Sequence, residues 1–421
     1  MIKKNVIFAQ KTAHYPQDMK QVIVIGAGAA GCFAAIEIKR RNPKLQVTLL
    51  EKGKRPLAKV AITGGGRCNI TNSFAEVKSM ENVYPRGYRL MKKLFHHFSN
   101  EDTCQWFENS GIRLVTQDDQ CVFPQSQEAM EVVNNLVGQL NKYGVKLITN
   151  TRVELIKPSE DGYLIVTSKG EMKANNVLVT TGGHPSIDGF DMLRELDLEI
   201  VPPLPSLFSF NINDDSLKSL MGTVVKNTIV TIPGTKLKAQ GPLLITHWGV
   251  SGPAILKLSS YGARILAERN YVTDVSIHWL TSDQSDILTY LRKVAATHKD
   301  KKITSIYPDE FNARLWTHLI TRSSISLDAR WKELSDKAIN RLMNTLTNDV
   351  YHVTGKNRFK DEFVTCGGVS LNSLNHKTLE AKNHPGLYFA GEITDVDAIT
   401  GGFNLQAAWT MASVVANAIT Q

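Results

Sequence analysis

The sequence contains no apolar run long enough to cross a bilayer and no C-x-x-C pair. The first absence argues against a membrane-spanning protein. Only five cysteines are present, at 32, 68, 104, 121 and 366. Scattered, odd-numbered thiols argue against a structural zinc site and a dithiol oxidoreductase, and they fit a reducing cytoplasm. Neither a metal nor a membrane partner is expected. MIKKNVIFAQ has two lysines near its start, but only a four-residue apolar stretch follows them, too short for a secretory h-region. Residues 1–20 read as an extension ahead of the first strand, with no function assigned. Internal repeats and low-complexity segments are also missing.

At 421 residues the chain can bury a core large enough for two or three domains. Hydrophobic residues at 42% and charged residues at 21% describe an ordinary soluble globular protein. The net charge of +9 leans basic, with clusters at Lys39-Arg40-Arg41-Lys44, Lys52-Lys54-Arg55-Lys59, Lys92-Lys93-His96-His97 and Lys356-Arg358-Lys360. One reading is solvated faces and neutralisation of a bound pyrophosphate. The other is a polyanionic partner such as RNA.

Residues 22–51, VIVIGAGAAGCFAAIEIKRRNPKLQVTLLE, read as strand, glycine turn, helix, strand and terminal acid. Gly26, Gly28 and Gly31 fill G-x-G-x-x-G. The first allows a tight turn, the second a close backbone approach to a pyrophosphate, and the third close helix–strand packing. The pyrophosphate would meet free N–H groups at the helix N-terminus. Glu51, 20 residues after Gly31, is placed to accept hydrogen bonds from a ribose diol. The unit predicts a bound dinucleotide. A Rossmann unit without a ligand leaves the glycine cluster unexplained.

The stretch KGKRPLAKVAITGGGRCNITNS after Glu51 is unlike regular structure. Helical periodicity follows over residues 88–109 and again from Ser126 to Gly144; KLITNTRVELIKP, YLIVTS and NNVLVTTGG read as strands. Composition changes at Pro202-Pro203-Leu204-Pro205. Residues 206–280 read as short strands, including a His-containing glycine turn in GPLLITHWGVSGPAILKLSS. Residues 284–349 read mainly as helices. GLYFAGE then restores a buried strand ending on Gly391-Glu392, and Gly401-Gly402 open a last helix. The cofactor domain is therefore expected to be discontinuous, an FAD-binding domain over 21–205 and 346–421, interrupted by a substrate or cap domain over 206–345.

FAD needs more contact zones than NAD. A late acid can hold the ribitol, and a helix N-terminus can face the flavin O2/N1 edge, where negative charge develops on reduction. Glu392 and the helix after Gly402 supply both, so FAD is expected. The expected cofactor contacts are Gly26, Gly28, Ala29, Ala30, Gly31, Glu51, Lys52, Gly65, Gly66, Arg67, Cys68, Asn69, Val153, Thr181, Gly182, Gly183, Gly391, Glu392, Gly402, Phe403, Asn404 and Leu405. No second G-x-G-x-x-G marks a permanent nicotinamide domain, so NADH or NADPH is expected as a transient reductant.

Taken together, IGAGAAG, ITGGGRCNITN, LLITHWGVSGPAIL and VTCGGVSL…GLYFAGEITDVDAITGGFNLQAAW resemble the HI0933-like flavoproteins, which include bile-acid enone reductases and ribosomal-RNA dihydrouridine synthases. The resemblance runs from about Val22 to the C-terminus. It implies an α/β fold: a glutathione-reductase-type Rossmann FAD domain carrying an inserted β-barrel-like and helical part. It also implies hydride delivery from reduced flavin to a C=C bond conjugated to a carbonyl, with a general acid nearby. Cys68 is one candidate acid, with a packing role as the alternative. Arg67 is placed to serve the pyrophosphate or a substrate carbonyl, or simply to be solvated. His247 is a candidate proton donor or carbonyl ligand, or a hydrogen-bonded structural residue. For His184 the structural role is favoured, and Cys366, His376 and His384 receive none. The leading expectation is reduction of uridine in ribosomal RNA, because the charge suits a polyanion. The alternatives are a small-molecule enone, a non-catalytic nucleic-acid-binding flavoprotein, and an NAD-dependent dehydrogenase.

Overall fold

The computed structural model describes residues 20–357 and 364–421. All of the N-terminal extension except Lys20 lies outside the described residues, as do Arg358 and Lys360 of the last basic cluster.

The strand–turn–helix–strand unit forms as the pattern requires. Gln21–Ile25 and Gln46–Leu50 pair in parallel, and helix Ala29–Arg41 crosses between them. Asn176–Val179 joins the other edge of the first strand, Leu387–Phe389 pairs with Asn176–Val179, and Lys146–Ile148 pairs with Gln46–Leu50. The result is one five-stranded parallel sheet whose first-neighbour strands come from both ends of the chain.

The two-residue period of a strand sorts its side chains by face. Val22, Val24 and Leu49 enter the core under helices Ala29–Arg41 and Phe403–Thr420. Ile23, Ile25 and Leu50 enter the opposite core with Ile156, Tyr163 and Ile165. Those last residues belong to an antiparallel meander, Val153–Ser159, Gly162–Thr167 and Gly170–Ala174. The C-terminal helix is buried nearly all round, and its small residues Ala407, Ala408, Ala412 and Ala416 let it approach the dinucleotide helix closely.

The inserted unit is a closed six-stranded barrel of Phe210–Ile212, Gly249–Ser251, Lys238–Thr246, Val224–Thr231, Thr273–His278 and Asp349–Lys356. Helices Gln284–Thr297, Ala313–Arg322 and Asp336–Thr347 share its core. The final strand pairs with both Phe210–Ile212 and Thr273–His278. Closure of the barrel therefore carries the insert past residue 345, to Lys356.

Other differences from the sequence expectation are local. Residues 88–109 form two helices, Tyr88–Leu94 and Asn100–Asn109, because Ser99 and Asp102 build a capping box that starts the second. The stretch after Glu51 contains a short helix from Ala58. Thr63, Gly64 and Gly65 leave helical geometry. Pro202-Pro203 sit at a bulge in strand Ile200–Pro205, which pairs with Thr365–Val369. Proline is tolerated there because a two-stranded ribbon has free edges.

One buried ion pair ties the units together. Arg86 grips Asp397 through two nitrogens, and Asp397 also accepts from Ser206 Oγ. The Arg86 guanidinium further donates to Ser260 O at 2.8 Å and Ser206 Oγ at 3.0 Å. Asp397 is fully buried. This node joins both halves of the cofactor domain to the chain entering the insert and to its helix Pro253–Tyr261. Removing one partner strands a charge in the interior, so Arg86→Ala is expected to cost about 3–5 kcal/mol. Urea unfolding checks this, and an unchanged midpoint would show that the pair does not hold the junction.

Candidate functional site

Four parallel strands deliver their C-terminal ends to one crevice. Gly26 follows the first, Glu51 the second, Thr180–Gly183 the strand Asn176–Val179, and Gly391–Glu392 the strand Leu387–Phe389. Ligands of open parallel sheets bind outside such carboxyl ends.

Backbone packing shapes the first zone. A Cβ on Gly31 would lie 1.9 Å from Gly26 O and 2.6 Å from Thr180 Oγ1. Thr180 Oγ1 itself sits 2.9 Å from Ile25 O and 2.8 Å from Gly26 O, donating between them. Gly28 caps the helix without a side-chain partner, and no acid occupies the first turn. The amides around Ala29, Ala30 and Gly31 are thus free for an anion, favoured by the helix dipole. A Cβ on Gly28 would meet nothing within 4 Å, so packing within the protein does not require this glycine.

Glu51 turns back on that loop. Its Oε2 accepts from Ala27 N at 3.0 Å and its Oε1 from Gly53 N at 2.7 Å. Each oxygen keeps a second lone pair for a diol. Thr151 N donates to Glu51 O at 2.8 Å, which brings the strand starting at Val153 beside the same site. Lys52 is exposed.

The second zone joins residues more than 200 positions apart. Glu392 Oε1 accepts from Thr365 N at 2.9 Å, and Lys59 Nζ lies 3.4 Å from Glu392 Oε2. A Cβ on Gly183 would lie 1.9 Å from Thr365 Oγ1 and 2.5 Å from Glu392 Oε1. Thr181 and Gly182 line the same turn, and Gly391 packs against Ala30. Sequence reasoning missed Lys59, Thr180 and Thr365. Only the threonines beside the glycine pairs hinted at two of them.

The third zone is the loop Gly64-Gly65-Gly66. All three have positive φ, and all three are exposed. Asn69 fastens this loop to the last helix: its amide nitrogen donates to Thr71 O at 2.8 Å and its oxygen accepts from Gly402 N at 3.1 Å. Asn72 Nδ2 donates to Gly401 O at 3.1 Å. Gly402 takes φ 88° and could carry no side chain, since Thr71 O lies 2.4 Å from where its Cβ would be. Phe403 is buried, edge-on to Phe74. The Asn404 amide is spent on Ala398, accepting from its N and donating to its O, both at 2.9 Å. The Asn404 side chain is therefore spent within the protein, and the helix start offers the backbone N–H groups of Phe403, Asn404 and Leu405 without a side-chain cap.

The zones fit FAD. Glu51 and Glu392, two carboxylates for two polyol segments, end strands three spacings apart in the sheet, about 14 Å. That separation suits a dinucleotide with a sugar on each side of its pyrophosphate. The third zone, where an uncapped helix N-terminus meets a glycine loop, would suit the flavin end of such a ligand.

The candidate acids fare differently. Cys68 is fully buried, and burial pushes its thiol up to about 12. With no surface on the crevice it cannot reach a ligand there, and its neighbourhood is the apolar core. Arg67 is exposed, but its guanidinium lies 4.4 Å over the Phe123 ring and its Nε donates to Gly64 O at 3.2 Å. His247 is exposed at the hairpin between Lys238–Thr246 and Gly249–Ser251. Ile212 N donates to the neighbouring Trp248 O, so this turn lies at the end of strand Phe210–Ile212 farther from Ser206 and the junction. Among the described residues, no hydrogen bond or ion pair joins His247 to the crevice. His184 packs against Phe190, and burial, then Lys52 and Lys59, hold its pKa low. No group of three His, Cys, Asp or Glu among the described residues could hold a metal ion. None of the described helices is long and apolar enough to cross a membrane.

A family model described as "HI0933-like protein Rossmann domain" matches residues 20–418. The ribosomal RNA dihydrouridine synthase of Escherichia coli (strain K12) is 28% identical over 405 residues, covering 93% of this chain and 95% of that protein. The 3-dehydro-bile acid delta(4,6)-reductase of Clostridium scindens is 27% identical over 407 residues, covering 93% and 97%. Among solved structures, E. coli quinol fumarate reductase aligns with TM-score 0.49 at 13% identity, covering 96% of this chain and 70% of that one.

Two glycines should respond differently to the same methyl. Gly28→Ala is expected to leave the apoprotein's stability within about 1 kcal/mol, an N-cap effect, while bound FAD falls at least tenfold. Gly31→Ala should damage folding itself. Flavin content and thermal unfolding of both variants check this, and full FAD retention in Gly28→Ala would remove that turn from the site. Separately, Cys68 should resist alkylation by iodoacetamide at pH 8 in native protein and react once unfolded. Rapid native labelling would place its thiol on the surface.

Proposed function

The chain belongs to the HI0933-like family of FAD-dependent oxidoreductases, and from that premise we propose that it reduces a C=C bond conjugated to a carbonyl, in uridine of ribosomal RNA. The observation that carries this reading is the third zone. There an 18-residue helix presents an N-terminus with no side-chain cap and no acidic first turn, opposite three exposed glycines. Bound FAD supplies two-electron hydride chemistry there. The amides after Gly402, at the positive end of the helix dipole, would hold the flavin and favour negative charge there. Glu392, held by Thr365 and Lys59, fixes the ribitol. Glu51, held by two backbone amides, fixes the ribose. NADH or NADPH serves as a transient reductant, because the chain has a single G-x-G-x-x-G.

A uridine ring and a dienone bile acid share an alkene activated by a carbonyl, the feature common to the substrates named for the two relatives. Charge favours RNA. Lys52, Lys54, Arg55, Lys59 and Arg67 are all exposed along the stretch that flanks the crevice, and among the described residues only Lys59 of these forms an ion pair. Such a strip lowers the cost of bringing phosphates close. The small enone remains the second reading, on the strength of a relative of equal similarity.

Ribosomal RNA from cells lacking the protein is expected to lose dihydrouridine at one position, measured by mass spectrometry of nucleosides. Unchanged dihydrouridine, with reduced flavin still reoxidised by a 3-dehydro bile acid bearing the Δ4,6 diene, would shift the substrate to the enone. A flavin inert to both NADH and NADPH would indicate a non-catalytic flavoprotein.

A further inference from the structure

The basic cluster Lys92-Lys93-His96-His97 stands on helix Tyr88–Leu94 and on the turn that continues it to Phe98. Leu90, Met91 and Leu94 are buried in the cofactor-domain core. Arg89, Lys92, Lys93 and His96 are exposed, and their spacing of three and four residues sets them along one face. The helix has no acid of its own. Among the described residues, none of these four side chains forms an ion pair. Glu81, on the turn Met80–Asn82 packed beside the helix, reaches Arg89 with its charge but not as an ion pair. Folding does not account for this face. The helix dipole favours Lys92 and Lys93 in the last turn, but it opposes Arg89 in the first. Arg89 and Lys93, four residues apart, also repel each other.

The helix is fastened along the segment that leads into the third zone. Ahead of it, Ile399 N donates to Val83 O at 2.9 Å, and Tyr84 Oη donates to Phe403 O at 3.0 Å. At its start, Val396 lies 2.5 Å from where a Gly87 Cβ would be. At its end, Phe95 stands between Lys93 and His96. Its ring packs on Phe74 with centroids 4.7 Å apart, and Phe74 meets Phe403 edge-on at 5.1 Å. Phe403 is the first residue of the uncapped helix. Phe74 also closes the segment that runs on from the glycine loop: its N donates to Asn72 Oδ1 at 2.9 Å, and Asn72 holds Gly401. Two ring contacts therefore separate the basic face from the helix start of the third zone.

We propose that the face of Arg89, Lys92, Lys93 and His96 docks the phosphate backbone of an RNA strand, next to the nucleotide whose base enters the crevice. The inference deepens the RNA reading above and rests on it. Charge complementarity selects the occupant. Arg89, Lys92 and Lys93 form a row of cations with no acid partner, and binding phosphates there releases the counterions that RNA holds. A base that is to be modified must leave its stack, so the docked segment is single-stranded or looped. Its flanking phosphates then lie outside the crevice and need a surface that holds them in register with the reacting base. The helix is suited to this because its buried face is fixed to the same segment, Val396 to Phe403, that shapes the third zone. A small enone has no row of phosphates to set against these cations.

The test uses the FAD-loaded full chain and an unmodified ribosomal RNA transcript, with affinity measured by filter binding over a range of salt concentrations. Combining Arg89→Gln, Lys92→Gln and Lys93→Gln should weaken binding roughly ten- to hundredfold near 0.1 M salt. The slope of log affinity against log salt should become shallower by about 2, at about 0.7 for each lost contact to a single strand. Flavin content and the thermal unfolding midpoint should stay unchanged, since these side chains are exposed. Lys92→Arg with Lys93→Arg, which keeps the charge, should retain the affinity. Removing three exposed lysines of the inserted unit, by Lys293→Gln, Lys299→Gln and Lys337→Gln, should leave the slope near the wild-type value. An unchanged slope in the first variant, or an equal loss in the inserted-unit variant, would overturn the docking face while leaving the RNA reading intact. A wild-type protein that neither binds the transcript nor has its reduced flavin reoxidised by it would sink the RNA reading, and the docking face with it.

Discussion

The Gly26 carbonyl occupies the place where a Gly31 side chain would begin, and the rest of the crevice depends on that contact. With no Cβ in the way, helix Ala29–Arg41 settles onto the sheet at backbone distance, and Thr180 Oγ1 bridges the turn to the neighbouring strand. The strand ends at Gly26, Glu51 and Thr180 are then level. Gly391, packed on Ala30, brings the last strand to the same level. A larger residue at Gly31 would push the helix away from the Gly26 turn and from Thr180.

The two units are coupled through few groups. Arg86 and Asp397 form the buried centre, and the ribbon of Ile200–Pro205 with Thr365–Val369 carries both chain crossings. Thr365 in this ribbon also donates to Glu392, so the crossing and the cofactor zone share a residue. Any rotation of the barrel is felt at Glu392 and at the Asp397–Gly402 loop.

Much of the site was legible in the sequence because dinucleotide binding uses backbone. Glycine spacing and a trailing acid are local, and they marked Gly26, Gly28, Gly31 and Glu51 along with the strand endings at Gly182-Gly183 and Gly391-Glu392, which the sheet brings to one crevice. Side-chain roles were much less legible. Cys68 looked like a candidate acid because it follows three glycines, yet its thiol turns into the core. Asn404 looked like a ligand because it opens a helix, yet its amide closes the preceding loop. His247 stood out for lying in a glycine turn, and that turn is a barrel hairpin. Direction of burial decides each case, and direction is not written in spacing. The closing barrel strand Asp349–Lys356 was hidden for a related reason, since its partners lie about 75 and 140 residues earlier.

By itself the sequence determined the parallel α/β sheet, the discontinuous cofactor domain and the class of ligand, since strand alternation, glycine turns and helix starts act over a few residues through sterics and hydrogen bonding. The tertiary structure alone decided which groups meet: Thr365 with Glu392, Asn69 with Gly402, and Arg86 with Asp397. These pairs are set by how helices and barrel pack, and packing sums many distant contacts that no short stretch of chain encodes.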